Sequence, residues 1–312
     1  MTSTSLSTEP EGPAPVLVQG EPEERAPVEG RSLWDDALAR LRRNRAAMVS
    51  LGVLGVIALL AIVGPWLSPY TLEGTDWGAI SRAPSFSNGH IFGTDGTGRD
   101  IFVRTLWGAR VSLAIGIVAT AVSLVIGVLY GATAGYLGGR VDTLMMRFVD
   151  ILYSLPFVFF VIILITVFGR NFILLFVAIG AIEWLTMARI VRGQTLSIRQ
   201  KEFIEAARAT GVDTVTILRR HILPNVIGVV MIYATLTVPT VILVESFLSY
   251  LGLGVQEPMT SWGRLISEGA PQMDTAWWTL VFPAGFMAVT LFCFNYIGDG
   301  LRDAFDPKDR SA

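Results

Sequence analysis

The chain is poor in the residues from which most reaction centres are built. Its 312 residues include one cysteine, Cys293, and two histidines, His90 and His221. One cysteine excludes an intramolecular disulfide and leaves the redox compartment undetermined. Two histidines so far apart exclude a histidine-rich metal site. No zinc-ligand spacing, no phosphate-binding glycine–lysine loop and no serine–histidine–acid pattern is present, so neither metal, nucleotide nor triad chemistry finds a candidate. Charge is scarce too. Only 16% of residues are charged and the formal net charge is −2, which makes no case for nucleic acid. What the chain has instead is apolar length: 52% hydrophobic residues and a mean hydropathy of +0.55. A soluble domain of this size would bury a core without needing uninterrupted runs as long as a bilayer is thick.

Six such runs occur: Ala46–Leu67, Val111–Leu137, Phe148–Phe168, Phe172–Ile190, Pro224–Phe247 and Trp277–Ile297. Each is near the roughly 20 residues a helix needs to cross hydrocarbon. The fold class read from them is an all-α polytopic membrane protein with six transmembrane helices. Residues 1–30 are rich in Pro, Glu, Ser and Thr and are expected to lack order. They do not read as a secretory signal, because the first apolar run starts too deep and is too long. Residues 31–45 predict a short amphipathic helix capped by Ser32. Trp34, Leu38 and Leu41 share its apolar face, and Arg40, Arg42, Arg43 and Arg45 supply charge, a pattern suited to the lipid surface. With six spans both termini fall on one side, leaving 68–110 as an extracytoplasmic segment, 200–224 as a cytoplasmic loop within the core 111–300, and 301–312 as a cytoplasmic tail. On this assignment 18 of the 24 basic residues lie inside, the bias expected of a protein in the cytoplasmic membrane.

The most polar stretch between two spans is Glu202–Asn225, EFIEAARATGVDTVTILRRHILPN. Its first part is made of good helix formers, Gly211 supplies a stop, and Asp213 can cap a second short helix ending before Pro224. The expectation is helix, tight turn, helix: a compact knuckle at the membrane surface. Elsewhere, FGTDGTGRDIFVRTLWGARVSL precedes the second span, with Gly93, Gly96 and Gly98 in a tight turn and Asp95 and Asp100 near Arg99 and Arg104. An ion-pair cluster ordering the loop is the reading this favours over direct substrate contact. Gly127, Gly131 and Gly135 make a small-residue face that admits another helix closely. Pro156, Pro239 and Pro283 fall within three spans and are expected to kink them.

Ionisable groups at membrane depth are candidates for function. Asp150, about one turn inside the third span, is expected at the interface near Arg147. Glu183, beside Trp184, is the deepest carboxylate; a helix-to-helix hydrogen bond and contact with a substrate amino group are both open to it. Glu245 is the second residue of the run VESFLSYLGLG, in which Gly252 and Gly254 imply an irregular backbone able to dip back toward a pathway. Glu183, Glu245, Gly252 and Gly254 are therefore the candidate pathway or gate residues.

FGTDGTGRDIFVRTLWGARVSL, GYLGGRVDTLMMRFVDILYSLP, the Glu202–Asn225 stretch, VESFLSYLGLG and the C-terminal WWTLVFPAGFMAVTLFCFNYIGDGLRDAFDP, in that order along the chain, resemble the C-type membrane subunit of oligopeptide and dipeptide importers of the ATP-binding-cassette class. Nickel-transporting relatives look alike. The resemblance covers about Leu33 to Pro307 and implies the type I importer permease fold. It also implies that Glu202, Glu205, Ala206, Ala207, Gly211, His221, Leu223 and Pro224 belong to the loop that ATPase partners grip. The partners it implies are a homologous B-type permease, two ATPase subunits or one fused ATPase, an extracytoplasmic peptide-binding protein, and lipid. ATP and Mg would sit on the ATPase subunits, with no cofactor or metal on this chain and no enzymatic activity of its own. Glu183 departs from the family pattern, so no family role carries over to it. A nickel or other small-solute importer, or a secondary transporter, is the alternative; the latter would not need the Glu205–Pro224 loop.

Overall fold

The computed structural model describes residues 33–87, 89–169 and 172–305. Ser32, the N-terminal stretch 1–30 and most of the C-terminal tail lie outside them. Among the described residues the chain is helical and contains no named strand. The order is α1 (Leu33–Arg43), α2 (Arg45–Leu67), α3 (Ile101–Leu137), α4 (Gly139–Ser154), α5 (Phe157–Phe168), α6 (Phe172–Arg199), α7 (Glu202–Ala209), α8 (Thr214–Ile217), α9 (Leu223–Tyr250), α10 (Trp262–Gly269) and α11 (Trp278–Phe305).

Local chemistry explains where these helices begin and end. Asn44 sits between α1 and α2, and its side-chain oxygen accepts from the Ala47 N–H at 3.1 Å, so the elbow is also the cap of the first span. Asp100 caps α3 in the same way through Val103 N–H at 2.9 Å. Gly138, at φ +65°, turns the chain out of α3 and into α4.

Among the described residues four helices are long and apolar enough to cross a membrane: Arg45–Leu67, Ile101–Leu137, Thr214–Tyr250 and Trp278–Phe305. The third apolar run, Phe148–Phe168, bends where Pro156 is expected to kink it, and by far more than a kink. It breaks at Leu155 and Pro156, and α4 meets α5 at 82°. Proline has no N–H to give, and the residue before it is driven out of the helical region; Leu155 is accordingly extended, at ψ 128°. Taken as one bent unit the pair makes a fifth candidate, and α6, 28 residues long, runs beside them, so the described helices are compatible with six crossings.

The helices pack around α3. The partner admitted by its glycine face is α6 of the same chain: a Cβ on Gly127, Gly131 or Gly135 would lie 2.6 Å from Met187 Cβ, 2.4 Å from the Ala188 carbonyl oxygen and 2.8 Å from that of Arg192. No side chain larger than hydrogen fits. On the opposite flank α11 lies against α2 and α9. Many apolar side chains, such as Val49, Val56 and Ile62 on α2 and Phe159 and Ile163 on α5, remain exposed. That is an uncostly arrangement only where lipid rather than water surrounds them.

Candidate functional site

Two polar constructions stand at opposite ends of α9, whose 28 residues put them about 40 Å apart. The first is the knuckle. α7 ends at Ala209 with Thr210 as its cap, Gly211 takes φ +80°, and Val212 N–H returns to the Ala207 carbonyl at 3.1 Å. This is the left-handed stop at which glycine is favoured. Asp213 then caps α8, its Oδ2 accepting from Thr216 N–H at 3.1 Å. The Thr216 hydroxyl and its backbone N–H hold the Asp213 carboxyl below its ordinary range.

The second short helix does not stop before Pro224. It runs through a π-turn, Leu218–Ile222, into α9, so that Thr214–Tyr250 is one continuous unit. The reason lies in the proline. Its ring collides with the carbonyl four residues earlier and its nitrogen cannot donate, and a wider turn lets the helix pass, with Leu223 N–H reaching back to Leu218 O. The knuckle is therefore rigidly joined to a span on its α8 side.

Its α7 side is held by packing. Ile204, Ala207, Ile217 and Ile222 are buried in one cluster with Ala132 and Tyr136 of α3, Met187 and Val191 of α6, and Val226 and Val230 of α9. Arg208 lies over the Tyr136 ring at 4.9 Å, and its Nε donates to the Tyr136 hydroxyl at 3.3 Å. Of the residues singled out from the sequence, Glu202, Glu205, Ala206, Gly211 and Pro224 are exposed, His221 and Leu223 half-buried, and Ala207 buried. The knuckle thus presents two carboxylates on a small-residue surface while Ala207 faces the bundle. Sequence reasoning missed Phe203 and Val215, large apolar side chains left exposed on this same surface. Their signal was an apolar residue between charges in helices too short to bury it. Tyr136 was missed as well, lying 72 residues from Arg208 in a different span.

The second construction is a cap at the far end. Asp95 Oδ2 accepts from Arg99 Nε at 2.8 Å and Arg104 Nη1 at 2.6 Å. Arg99 reaches Glu257 at 2.9 Å, Arg104 reaches Glu268 at 2.9 Å, and Arg264 joins Glu268 from one turn away along α10. His90 Nδ1 meets Asp100 at 2.8 Å. The ordering cluster expected around Asp95 and Asp100 is there, and it reaches further than expected, into residues 160 positions on. Burial works against charge on Asp95, but the Arg99 and Thr97 N–H groups, the Thr97 hydroxyl and the Arg104 guanidinium outweigh it and hold the carboxyl below its usual range.

Glu245 lies beneath this cap, fully buried. Its Oε1 accepts from Ser249 at 2.6 Å and Ser261 at 2.7 Å. Trp262, also fully buried, donates its backbone N–H to Ser112 and its indole N–H to the Thr105 carbonyl, both at 3.1 Å. Gly252 takes φ +74° and folds the chain back onto the end of α9. A Cβ on Gly254 would lie 1.9 Å from Ser249 Oγ. Glu245, Gly252 and Gly254 are thus brought together around Ser249, the carboxylate buried and the two glycines half-buried. Glu183 is not among them; it sits half-buried on α6 next to Trp184, whose ring meets Tyr130 edge-on at 4.9 Å. Asp150 pairs with Arg189 at 2.8 Å rather than with Arg147, and Asp142 accepts from both Nε and Nη2 of Arg192. Both tie α4 to α6.

The described residues thus form a helical bundle with membrane-crossing lengths, a polar knuckle at one end and an ordered cap at the other. Comparison with known proteins gives the family. Residues 124–311 match the family described as binding-protein-dependent transport system inner membrane component, and residues 32–84 match the N-terminal transmembrane domain of oligopeptide transport permease C. The chain is 60% identical to the oligopeptide transport system permease protein OppC of Escherichia coli (strain K12) over 92% of its own length and 95% of that protein. It is 58% identical to the protein of that name from Haemophilus influenzae over 92% of each, and 44% identical to the dipeptide transport system permease protein DppC of Bacillus subtilis over 89% and 87%. The chain belongs to the binding-protein-dependent inner membrane component family and has its type I importer permease fold.

Proposed function

We propose that this chain is the C-type permease subunit of an ATP-binding-cassette importer that carries oligopeptides or dipeptides across the cytoplasmic membrane. The observation that carries this reading is the 60% identity to an oligopeptide permease along nearly the whole of both chains. The knuckle adds a physical rationale. A surface of exposed Glu202, Glu205, Phe203 and Val215, seated on the bundle by buried pegs and continuous with α9, is suited to receive a push from a partner and pass it to a span. On this reading ATP and Mg bind the ATPase subunits, which dock on Glu202–Pro224. A homologous B-type permease supplies the other half of the pathway, and an extracytoplasmic binding protein delivers peptide to the cap.

The excess of arginines at the knuckle end supports placing that end, and both termini, in the cytoplasm. The orientation is tested by thiol labelling in intact cells, after Cys293 is replaced. Cysteines at the exposed Ser87 and Thr275 are expected to react with an impermeant reagent and one at Ser197 is not. The function is tested by uptake in cells lacking their own peptide importers, supplied with this chain and its neighbouring transport genes. Labelled di- and oligopeptides are expected to accumulate with ATP consumption; uptake of nickel and not of peptides would overturn the substrate.

A further inference from the structure

The elbow between α1 and α2 serves neither the knuckle nor the cap, yet it is closely built. A Cβ on Gly300 of α11 would lie 2.6 Å from Ala47 Cβ and 3.2 Å from Leu41 Cδ1, with Asn44 Nδ2 at 3.5 Å. Only glycine lets the last turns of α11 approach the elbow this closely. Ala37 of α1 and Ala304 of α11 are buried in this region. Beside the contact is a cleft of about 300 Å³ lined by Arg40, Arg43, Asn44, Gly300, Asp303 and Ala304.

Its chemistry is lopsided. Arg40, Arg42, Arg43 and Arg45 fall within six residues, and Asp303 is the one carboxylate among the described residues of the lining. Guanidinium groups match phosphate oxygens in pairs. The surroundings are lopsided as well. Leu38, Met48 and Val49, within two turns of Asn44, are exposed apolar side chains, and α2 crosses the membrane from this point. The cleft therefore stands at the depth where a span leaves the hydrocarbon, with apolar surface beside it for acyl chains.

We infer that the α1–α2 elbow and the end of α11 form a binding site for the phosphate headgroup of an anionic phospholipid, held by Arg40 and Arg43 with its acyl chains along α2. A soluble phosphate would use the same two arginines but not the apolar surface.

The test is the retention of labelled phosphatidylglycerol by the full-length chain, purified in mild detergent, washed, and compared with labelled phosphatidylcholine. The wild type is expected to keep the anionic lipid preferentially. R40Q/R43Q is expected to lose it by about fivefold for each arginine removed, while R42Q/R45Q, which leaves the cleft intact, changes retention less than about twofold. Asp303→Asn removes the opposing charge and is expected to raise retention, a gain that a misfolded variant would not give. Excess inorganic phosphate is expected to leave the lipid in place. Equal loss from both arginine pairs would mean diffuse attraction to the bilayer. Displacement by phosphate would mean a soluble anion site, and loss of lipid in Asp303→Asn would mean that the cluster serves structure only. Each of these outcomes overturns the inference.

Discussion

The two ends of α9 are stabilised in opposite ways. At the cap, polar and charged side chains are turned inward: Asp95, Arg104 and Glu245 are buried, and partners for them arrive from α3, α9, α10 and the loops between. At the knuckle, apolar side chains are turned inward and charge is left outside: Ile204, Ile217 and Ile222 plug the bundle while Glu202 and Glu205 face away. A buried ion pair is weak as a source of stability but strict about geometry, because any misplacement strands a charge in a low dielectric. Apolar pegs are tolerant of small rotations, and exposed carboxylates are free to meet something else. The cap is thus built to keep one shape, and the knuckle to keep one attachment and offer one surface.

The comparison is broken most severely at Arg104. Its side chain is 4% exposed and holds both Asp95 and Glu268. Arg104→Met would leave Asp95 buried with only Arg99 against it, and removing one member of a buried pair costs roughly 3–5 kcal/mol. Thermal unfolding in detergent should show that loss, whereas a cost below about 1 kcal/mol would mean that charge does not organise the cap.

The same cluster can be titrated. Asp95 and Glu257 both have their carboxyls held below the ordinary range; for Glu257 the Arg99 hydrogen bond and charge are responsible. A depressed folded-state pKa contributes stability that is present above the unfolded carboxylate value, near pH 4, and is lost as pH falls through the folded value. Amide exchange in 251–261 should therefore accelerate on acidification before that of the apolar pegs around Ile204. Simultaneous loosening of both ends would erase the distinction.

A third and smaller effect isolates conformation from contact. A Cβ at Gly211 would meet nothing within 4 Å, yet the residue holds φ +80°. Gly211→Val should therefore cost roughly 1–2 kcal/mol of backbone strain with no steric clash. The strain falls on the joint between α7 and α8, so uptake is expected to drop while the chain remains in the membrane. Unchanged uptake would show that this joint transmits nothing.

Much of this was legible in the sequence, and what was not has a physical reason. Apolar runs reveal spans because backbone groups in lipid must satisfy themselves. Gly211 and Asp213 reveal the knuckle because stops and caps are local chemistry. The 82° break at Pro156 was legible only as a kink, since a proline in a helix does not say how far the chain will turn. The partner of Gly127 was legible only as some other helix. Arg208 on Tyr136, Arg192 on Asp142 and Glu268 on Arg104 were not legible at all: each joins residues at least 50 positions apart, and one sequence contains no signal for such pairs. Phe203 was passed over because an apolar residue in a short polar helix looks like noise until its exposure is known.

The smallest effect on stability is expected where the largest effect on transport is. Phe203 and Glu205 lie on α7 with their side chains exposed, and exposed positions away from caps and cores usually change stability by no more than about 0.5 kcal/mol. Ala206 between the charged positions keeps the surface low, so that a partner could reach the Glu205 carboxylate and pack on the Phe203 ring at once. Phe203→Ala and Glu205→Ala should therefore leave the melting temperature, the level in the membrane and pairing with the homologous permease unchanged. If the knuckle is the docking surface for the ATPases, both variants should pull down less ATPase, and uptake in vesicles should fall while hydrolysis either falls with it or continues uncoupled. The two variants together should exceed either alone, because an aromatic anchor and a neighbouring charge contribute to an interface by different means. Normal uptake with normal ATPase capture in the double variant would show that this surface is only a turn between two spans, and the contrast between the two ends of α9 would then be one of architecture and not of function.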